Sequence, residues 1–266
     1  MWIRAFFLRD LKEEISYRLN MLWQIGNLAF GILGLLFLGR MVAVGGDNPA
    51  LEVYGGGYFL FAVVGVAVGD AMWAALRGFA GRVRYDQVVG TLDAMLSTPA
   101  PLGRIVIASG TFPLFKALLR LVLYLGAGFV LAGFVPTVGV WLLALVLPLT
   151  FLGFAALGVA SSALTLVFKR GEPVGILFGA VSFLVGGTLY PVSSLPAWVQ
   201  EIAAWLPLTH AIEASRMALL GGAGLGELLG ELLWLLVFDA VAIVGAAGAL
   251  RYANAHLLRY GTSRQY

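Results

Sequence analysis

The sequence predicts an all-α integral membrane protein with six transmembrane helices, arranged as one domain over residues 1–266. Three observations carry that prediction. Hydrophobic residues make up 61% of the chain and charged residues 12%, against about 25% charged residues in a soluble domain, and the mean hydropathy is +0.93. Too few polar side chains exist to cover a water-facing surface, so the bilayer is the expected solvent. The apolar residues gather into six stretches of about the length needed to cross a bilayer, near 21–44, 56–77, 112–133, 138–168, 173–190 and 230–250. The basic residues concentrate on alternate sides of these stretches, as cytoplasmic enrichment of Lys and Arg requires.

Residues 1–20 contain Asp10, Glu13 and Glu14 and lack a short apolar core followed by a small-residue cleavage site. They read as a retained segment, not a secretory signal. Trp2, Phe6, Phe7, Leu11, Ile15 and Leu19 recur at roughly helical spacing with charges between them, the pattern of an amphipathic helix lying in the membrane interface. Arg4, Arg9, Lys12 and Arg18 put this segment inside. The loop at 45–55 has Asp47 and Glu52 and no basic residue; the loop at 78–111 has Arg82, Arg84 and Arg104, with Arg77 at its edge. Residues 134–137 have none, the turn near 169–172 has Lys169 and Arg170, and 191–229 has only Arg216 against Glu201, Glu213 and Glu227. The tail has Arg251, Arg259 and Arg264. This alternation predicts a multi-pass protein of the cytoplasmic membrane with both termini in the cytoplasm and 191–229 outside. Pro148 predicts a kink or tilt in the fourth stretch. The end of the fifth is poorly marked, because residues 191–229 are also fairly apolar.

On the inner side, residues 88–97 form a short amphipathic pattern. Leu92, Met95 and Leu96 lie at i, i+3 and i+4, giving a small apolar face. Thr91 is positioned as an N-cap, Asp93 suits the positive end of the helix, and Thr98-Pro99 stops it. Taken alone, this is either a helix resting on lipid headgroups or an element reaching for a partner. On the outer side, Pro191, Pro196 and Pro207 break an apolar segment too often for a crossing. A helix at about 196–205 would align Trp198, Ile202 and Trp205, and a second helix follows at about 209–220, so a re-entrant or surface-lying hairpin is expected. Glu213 and Arg216 have the spacing of a local salt bridge, and His210 reads as a hydrogen-bonded residue of this hairpin rather than a ligand.

Several kinds of chemistry have no residues to perform them. The chain has no Cys and two His, His210 and His256, so disulfides, thiol catalysis and a His-based metal site are not expected. A phosphate loop needs Gly-Lys before Ser or Thr, but Lys12, Lys116 and Lys169 follow Leu11, Phe115 and Phe168. Gly222-Ala-Gly224-Leu-Gly226 is a loop, and Ser161 and Ser162 lie in the fourth stretch, away from either His. No catalytic residue is assigned, and 17 basic against 14 acidic residues gives no reason to expect nucleic acid.

Polar residues inside the apolar stretches are costly and point to function. Asp70 and Arg120 are a candidate intramembrane ion pair; the alternative is that Lys116 snorkels and Asp70 only caps packing. Asp239 has no evident partner. Asn20, Gln24, Asn27, Gly31 and Gly34 form one polar and small stripe beside the aromatic stripe of Trp23, Phe30 and Phe37. That face should meet a dimer seam or a transport pathway. Gly65/Gly69 and Gly175/Gly179 allow close helix approach.

"GTLDAMLSTPAP" (90–101) and "GGTLYPVSSLPAWVQEIAAWLPLTHAIEASRMALLGG" (186–222) together resemble two signatures of the ABC-2 type transporter permeases, membrane subunits of ABC exporters. Their order, and the sides on which charge counting places them, match that family. The resemblance implies that 85–103 is a cytoplasmic coupling helix segment, with Thr91, Leu92, Asp93, Met95, Leu96, Thr98 and Pro99 facing the energy source. It implies that 191–220 is an outer lid including Pro191, Pro196, Trp198, Trp205 and His210. It further implies a homodimer, or a pair with a related permease, within membrane lipid. Two separate ATPase subunits would carry the ATP and Mg, while this chain binds no cofactor and is not itself an enzyme. A hydrophobic or amphipathic cargo (drug, lipid or lipid-linked glycan) would move outward. Leu92→Asp or Asp93→Lys should then leave folding intact and uncouple transport. A second reading, an ion-gradient-driven secondary transporter, predicts inverted repeats and midplane carboxylates. Residues 1–133 and 134–266 show no convincing repeat, and Asp70 and Asp239 are the only candidate acids. A third, an assembly factor that transports nothing, gives no reason for a projecting helix.

Overall fold

A computed structural model describes residues 2–44, 57–136, 139–168 and 173–260, and these are helical with short connections. In chain order the helices are α1 (Trp2–Ser16), α2 (Arg18–Val44), α3 (Tyr58–Val89), α4 (Thr91–Leu96) and α5 (Leu102–Ala132). A 3-10 turn, Val140–Leu142, leads into α6 (Leu143–Phe168) and then α7 (Pro173–Val185). A second 3-10 turn, Val192–Ser194, precedes α8 (Ala197–Ala203), α9 (Pro207–Leu219) and α10 (Leu225–Tyr260). The predicted loop acids Asp47 and Glu52, the turn residues Lys169 and Arg170, and Arg264 lie outside the described residues.

Among the described residues, five helices are long and apolar enough to cross a membrane: α2, α3, α5, α6 with its preceding turn, and α10. The sixth predicted stretch, 173–190, is not among these five and is helical as α7 only. Its helix α7 has 13 residues, roughly 20 Å at 1.5 Å per residue, short of a bilayer core of about 30 Å. Glycine is the reason. Gly187 takes a left-handed φ of 79°, which ends the helix while the sequence is still apolar. Conversely, α3 and α5 run well past their predicted ends. Arg82, Arg84, Asp86 and Gln87 continue α3 in polar register, and nothing stops it before Gly90. The expected 78–111 loop is therefore mostly helix.

Helix α3 is the centre of the bundle: 72% of its most apolar window is buried, against 17% for α2 and α10. Small residues make this possible. Ala62, Ala67, Ala71 and Ala75 are wholly buried, and glycines meet the partners at the tightest points. Gly69 faces the Phe183 ring of α7 and Gly65 faces the Thr188 carbonyl. On α7, Gly179 approaches Trp73 of α3 and Gly175 approaches Ser161 of α6. The predicted small-residue pairs thus mark real close approaches. One end of the bundle gathers Phe79, Val83, Leu92, Ile105 and Leu166 with α1 and α4; the other gathers Leu142, Val146, Ala214 and Leu228.

The N-terminal segment departs in detail from its prediction. The helix ends at Ser16, and Leu19 belongs to α2, where it is exposed. Helix α1 packs on α5, with Phe7 edge-on to Phe112 and Phe115 at 5.4 and 5.3 Å. Trp2, Ile3, Leu8 and Ile15 stay exposed. The apolar stripe is divided between protein contact and the exterior.

Candidate functional site

Helix α4 hangs from the end of α3 by one glycine. Gly90 takes φ 80°, gives its N–H to the Gln87 carbonyl, and serves both as the end of α3 and the start of α4. Thr91 is therefore the first helical residue and not the N-cap expected of it. Its hydroxyl donates back to the Asp86 carboxylate at 3.0 Å. The helix stops before Thr98-Pro99 as expected, with the Thr98 hydroxyl donating to the Met95 carbonyl at 2.6 Å.

Of the apolar face of α4, Leu92 is turned fully inward and so is withdrawn from the predicted contact surface. Leu92 is 2% exposed, and it packs with Phe79, Val83, Leu102 and Ile105, with Met95 and Leu96 half-buried beside it. This face anchors the segment to its own chain, because the ends of α3 and α5 supply apolar surface there. The exposed positions are Val88, Val89, Thr91, Ala94, Ser97, Thr98 and Pro99, with Asp93 half-exposed. Leu92→Asp is consequently expected to damage folding, against the sequence-based expectation. Even Leu92→Ala should cost about 2–5 kcal/mol, read as a lower melting temperature of the detergent-purified chain.

Behind α4 lies a network of charges that sequence reading did not connect. Arg82 of α3 reaches Glu13 at 2.8 Å and Asp10 at 3.1 Å, both on α1, and Asp86 at 3.7 Å on its own helix. Arg9 pairs with Asp10 at 2.8 Å and with Asp86 at 3.5 Å. Burial pushes the Asp10 carboxyl above its ordinary pKa, against the hydrogen bond from Arg9 and the charge of Arg82. Glu13 is also partly desolvated, but the hydrogen bond and charge of Arg82 hold it below the carboxylate range. The only local signal was the i, i+4 spacing of Arg82 and Asp86.

Beside this network is a cavity of about 510 Å³ between α1, α2, α3 and α5. Its lining carries both signs of charge, including Glu14, Arg77, Lys116 and Arg120, and the amides of Asn20 and Gln24. Lys116 pairs with Glu14 at 2.8 Å, and the Gln24 amide donates to the same oxygen at 2.8 Å. The predicted Asp70–Arg120 pair forms at 2.7 Å. The polar stripe of α2 divides: Asn20 and Gln24 face this cavity, Gly31 faces the Tyr124 hydroxyl of α5, and Asn27 and Phe30 are exposed. Asp239 is buried in α10 against Gly153 of α6, whose missing side chain makes the room.

At the opposite end, the hairpin is two short helices started by prolines, Pro196 before α8 and Pro207 opening α9. Pro191 begins the turn that leads into them. Trp198, Ile202 and Trp205 share an exposed face, while Val199 and Ala203 turn inward. Arg216 of α9 is 2% exposed. It donates to the carbonyls of Phe61 and Thr188 at 3.0 and 3.1 Å, and lies over the Phe61 ring at 3.4 Å. His210 is hydrogen-bonded, as expected, to Glu231 and to the Ala204 carbonyl. Glu231 had drawn no notice in the sequence. Among the described residues no group of three or more His, Asp or Glu is placed to hold a metal ion.

A family model for the ABC-2 type transporter matches residues 9–220. Nodulation protein J of Rhizobium leguminosarum bv. viciae is 30% identical over 205 residues, 74% of each chain. Nodulation protein J of Rhizobium meliloti (strain 1021) is 29% identical over 203 residues, again 74% of each. A probable doxorubicin resistance ABC transporter permease protein, DrrC of Mycobacterium tuberculosis (strain ATCC 25618 / H37Rv), is 30% identical over 106 residues, 38% of each.

Proposed function

Because the chain belongs to the ABC-2 type transporter family, whose members work with separate ABC ATPase subunits, we propose that it is the permease subunit of an ATP-driven exporter. It is a multi-pass membrane protein with several helices able to cross a bilayer. In this reading it sits in the cytoplasmic membrane with both termini inside, as a homodimer or paired with a related permease. Two ATPase subunits hold ATP and Mg. A hydrophobic or amphipathic cargo (drug, lipid or lipid-linked glycan) moves outward.

The projecting tip carries this reading. It has an inner face that holds it, Leu92 with Met95 and Leu96, and an outer face free for a partner, from Val88 through Pro99. A rigid helix seated this way transmits displacement better than a loop. The relatives' names agree, one with nodulation and one with drug resistance. The charged cavity beside the sparsely packed α2 suits a cargo with a polar head and an apolar body. The lid at the other end comprises α8 and α9.

The test is made on the outer face. Asp93→Lys and Ala94→Glu should leave the melting temperature unchanged. Export, and ATPase activity stimulated by complex formation, should fall by at least about tenfold, the effect of ~1.4 kcal/mol lost at a contact. Normal co-purification with the ATPase and full export in both variants would rule the role out. Transport that ignores ATP and stops when an ion gradient collapses would instead favour a secondary transporter.

A further inference from the structure

His210 stands where three helices meet. From α9 its Nε2 faces the Ala204 carbonyl at the end of α8, at 2.9 Å, and its Nδ1 faces Glu231 of α10 at 2.5 Å. The ring also stacks on Trp234 of α10, with centroids 3.9 Å apart and planes 17° apart. A carbonyl only accepts hydrogen bonds, and so does an ionised carboxylate. A neutral imidazole has one N–H. Whichever ring nitrogen carries it, the other presents a lone pair to an acceptor, Glu231 at 2.5 Å or the Ala204 carbonyl at 2.9 Å. Two acceptors repel at either distance, so each of the two contacts calls for a hydrogen. Whether the second hydrogen is written on the ring or on the carboxyl, the site then contains one proton more than neutral His with ionised Glu.

We propose that His210 and Glu231 form a proton-binding site that latches the α8–α9 hairpin to α10, closed when the proton is bound and released when it leaves. The other groups around the site are consistent with this. Glu213 and Arg216 of α9 line the same cavity of about 350 Å³, as do Gln200 of α8 and Ser193 of the preceding turn. Arg216 is directed at the carbonyls of Phe61 and Thr188. Burial alone would lower the pKa of His210. The hydrogen bonds to Glu231 and Ala204, with the charges of Glu231 and Glu213, outweigh it and raise the value above 6.5. The sign follows: a group raised on folding contributes its full stability below its unfolded pKa and loses it as pH rises through the folded one. The latch therefore weakens from neutral toward mildly alkaline pH. Naming the latched hairpin a lid rests on the exporter reading, but the proton site itself does not.

The experiment is hydrogen–deuterium exchange of residues 197–219 in the full chain in nanodiscs, corrected for intrinsic exchange, from about pH 6 to 9, the range in which a raised His titrates. Wild type should show a step of increased exchange with a midpoint above 6.5. Glu231→Gln should move that midpoint down, and His210→Gln should remove the step. A wild-type hairpin with no step, or an unchanged step in either variant, overturns the proposal. The wild-type titration decides even if a variant fails to fold. A step without export would leave the latch standing and count against the exporter reading alone.

Discussion

Arg82→Met is expected to detach α1 from the α3–α4 tip and to abolish export. The Arg82 guanidinium is the shared partner of Asp10, Glu13 and Asp86. The Asp10 and Asp86 side chains are only 3% and 2% exposed, and that of Arg82 is 15% exposed. Removing this cation leaves the buried Asp10 and Asp86 with Arg9 alone, at 2.8 and 3.5 Å, a loss approaching the roughly 3–5 kcal/mol seen when one partner of a buried pair is removed. Asp86 also accepts the Thr91 hydroxyl, so the disturbance reaches the seat of α4 directly. Arg82→Lys keeps the charge but loses the forked geometry that spans three acceptors, and should fall between wild type and Arg82→Met. Thermal unfolding in detergent and export by the reconstituted complex are the measurements. A methionine variant with the wild-type melting temperature and full export would show that the network is dispensable.

The second large effect is at Gly65. Replacing an interior helical glycine by alanine normally stabilises a helix, by about 1 kcal/mol. Here the sign should reverse. A Cβ at 65 would overlap the Thr188 carbonyl and stand 2.5 Å from Nη2 of Arg216. Either the 186–190 turn must leave α3, or a buried guanidinium must give up its carbonyl acceptors. Gly65→Ala should then destabilise the chain by roughly 3 kcal/mol, the scale for stranding a buried charge. Gly69→Ala is the control. Its Cβ would meet the edge of the Phe183 ring at 3.0 Å, and a side chain can shift where a backbone carbonyl cannot, so about 1 kcal/mol is expected. Equal melting temperatures for Gly65→Ala and wild type would mean that the turn yields freely there.

Much of this architecture was legible without coordinates. Five helices long and apolar enough to cross a membrane, the stop at Thr98-Pro99, the proline-started short helices α8 and α9 and the Asp70–Arg120 pair follow from hydropathy, spacing and charge. The errors have a common cause. The length of α7 depended on Gly187 adopting a left-handed backbone while its neighbours were still apolar. The apolar face of α4 is legible as a face, but the burial of Leu92 is not, because periodicity reports that a stripe exists and not what covers it. Arg82 with Asp10, and His210 with Glu231, are on different helices, beyond any local spacing rule.

By itself, the sequence determined that this chain lives in a membrane as a helical bundle, and which family's signatures it carries. Those are sums over neighbouring residues: transfer of apolar side chains out of water, backbone hydrogen bonding that lipid demands, and the stiffness of Pro and freedom of Gly. Only the tertiary structure decided that Leu92 holds the tip to its own chain, that Arg82 joins α1 to that tip, and that His210 clasps α10. Each depends on which helix stands opposite. Packing against α3 sets that arrangement, and no residue encodes it alone.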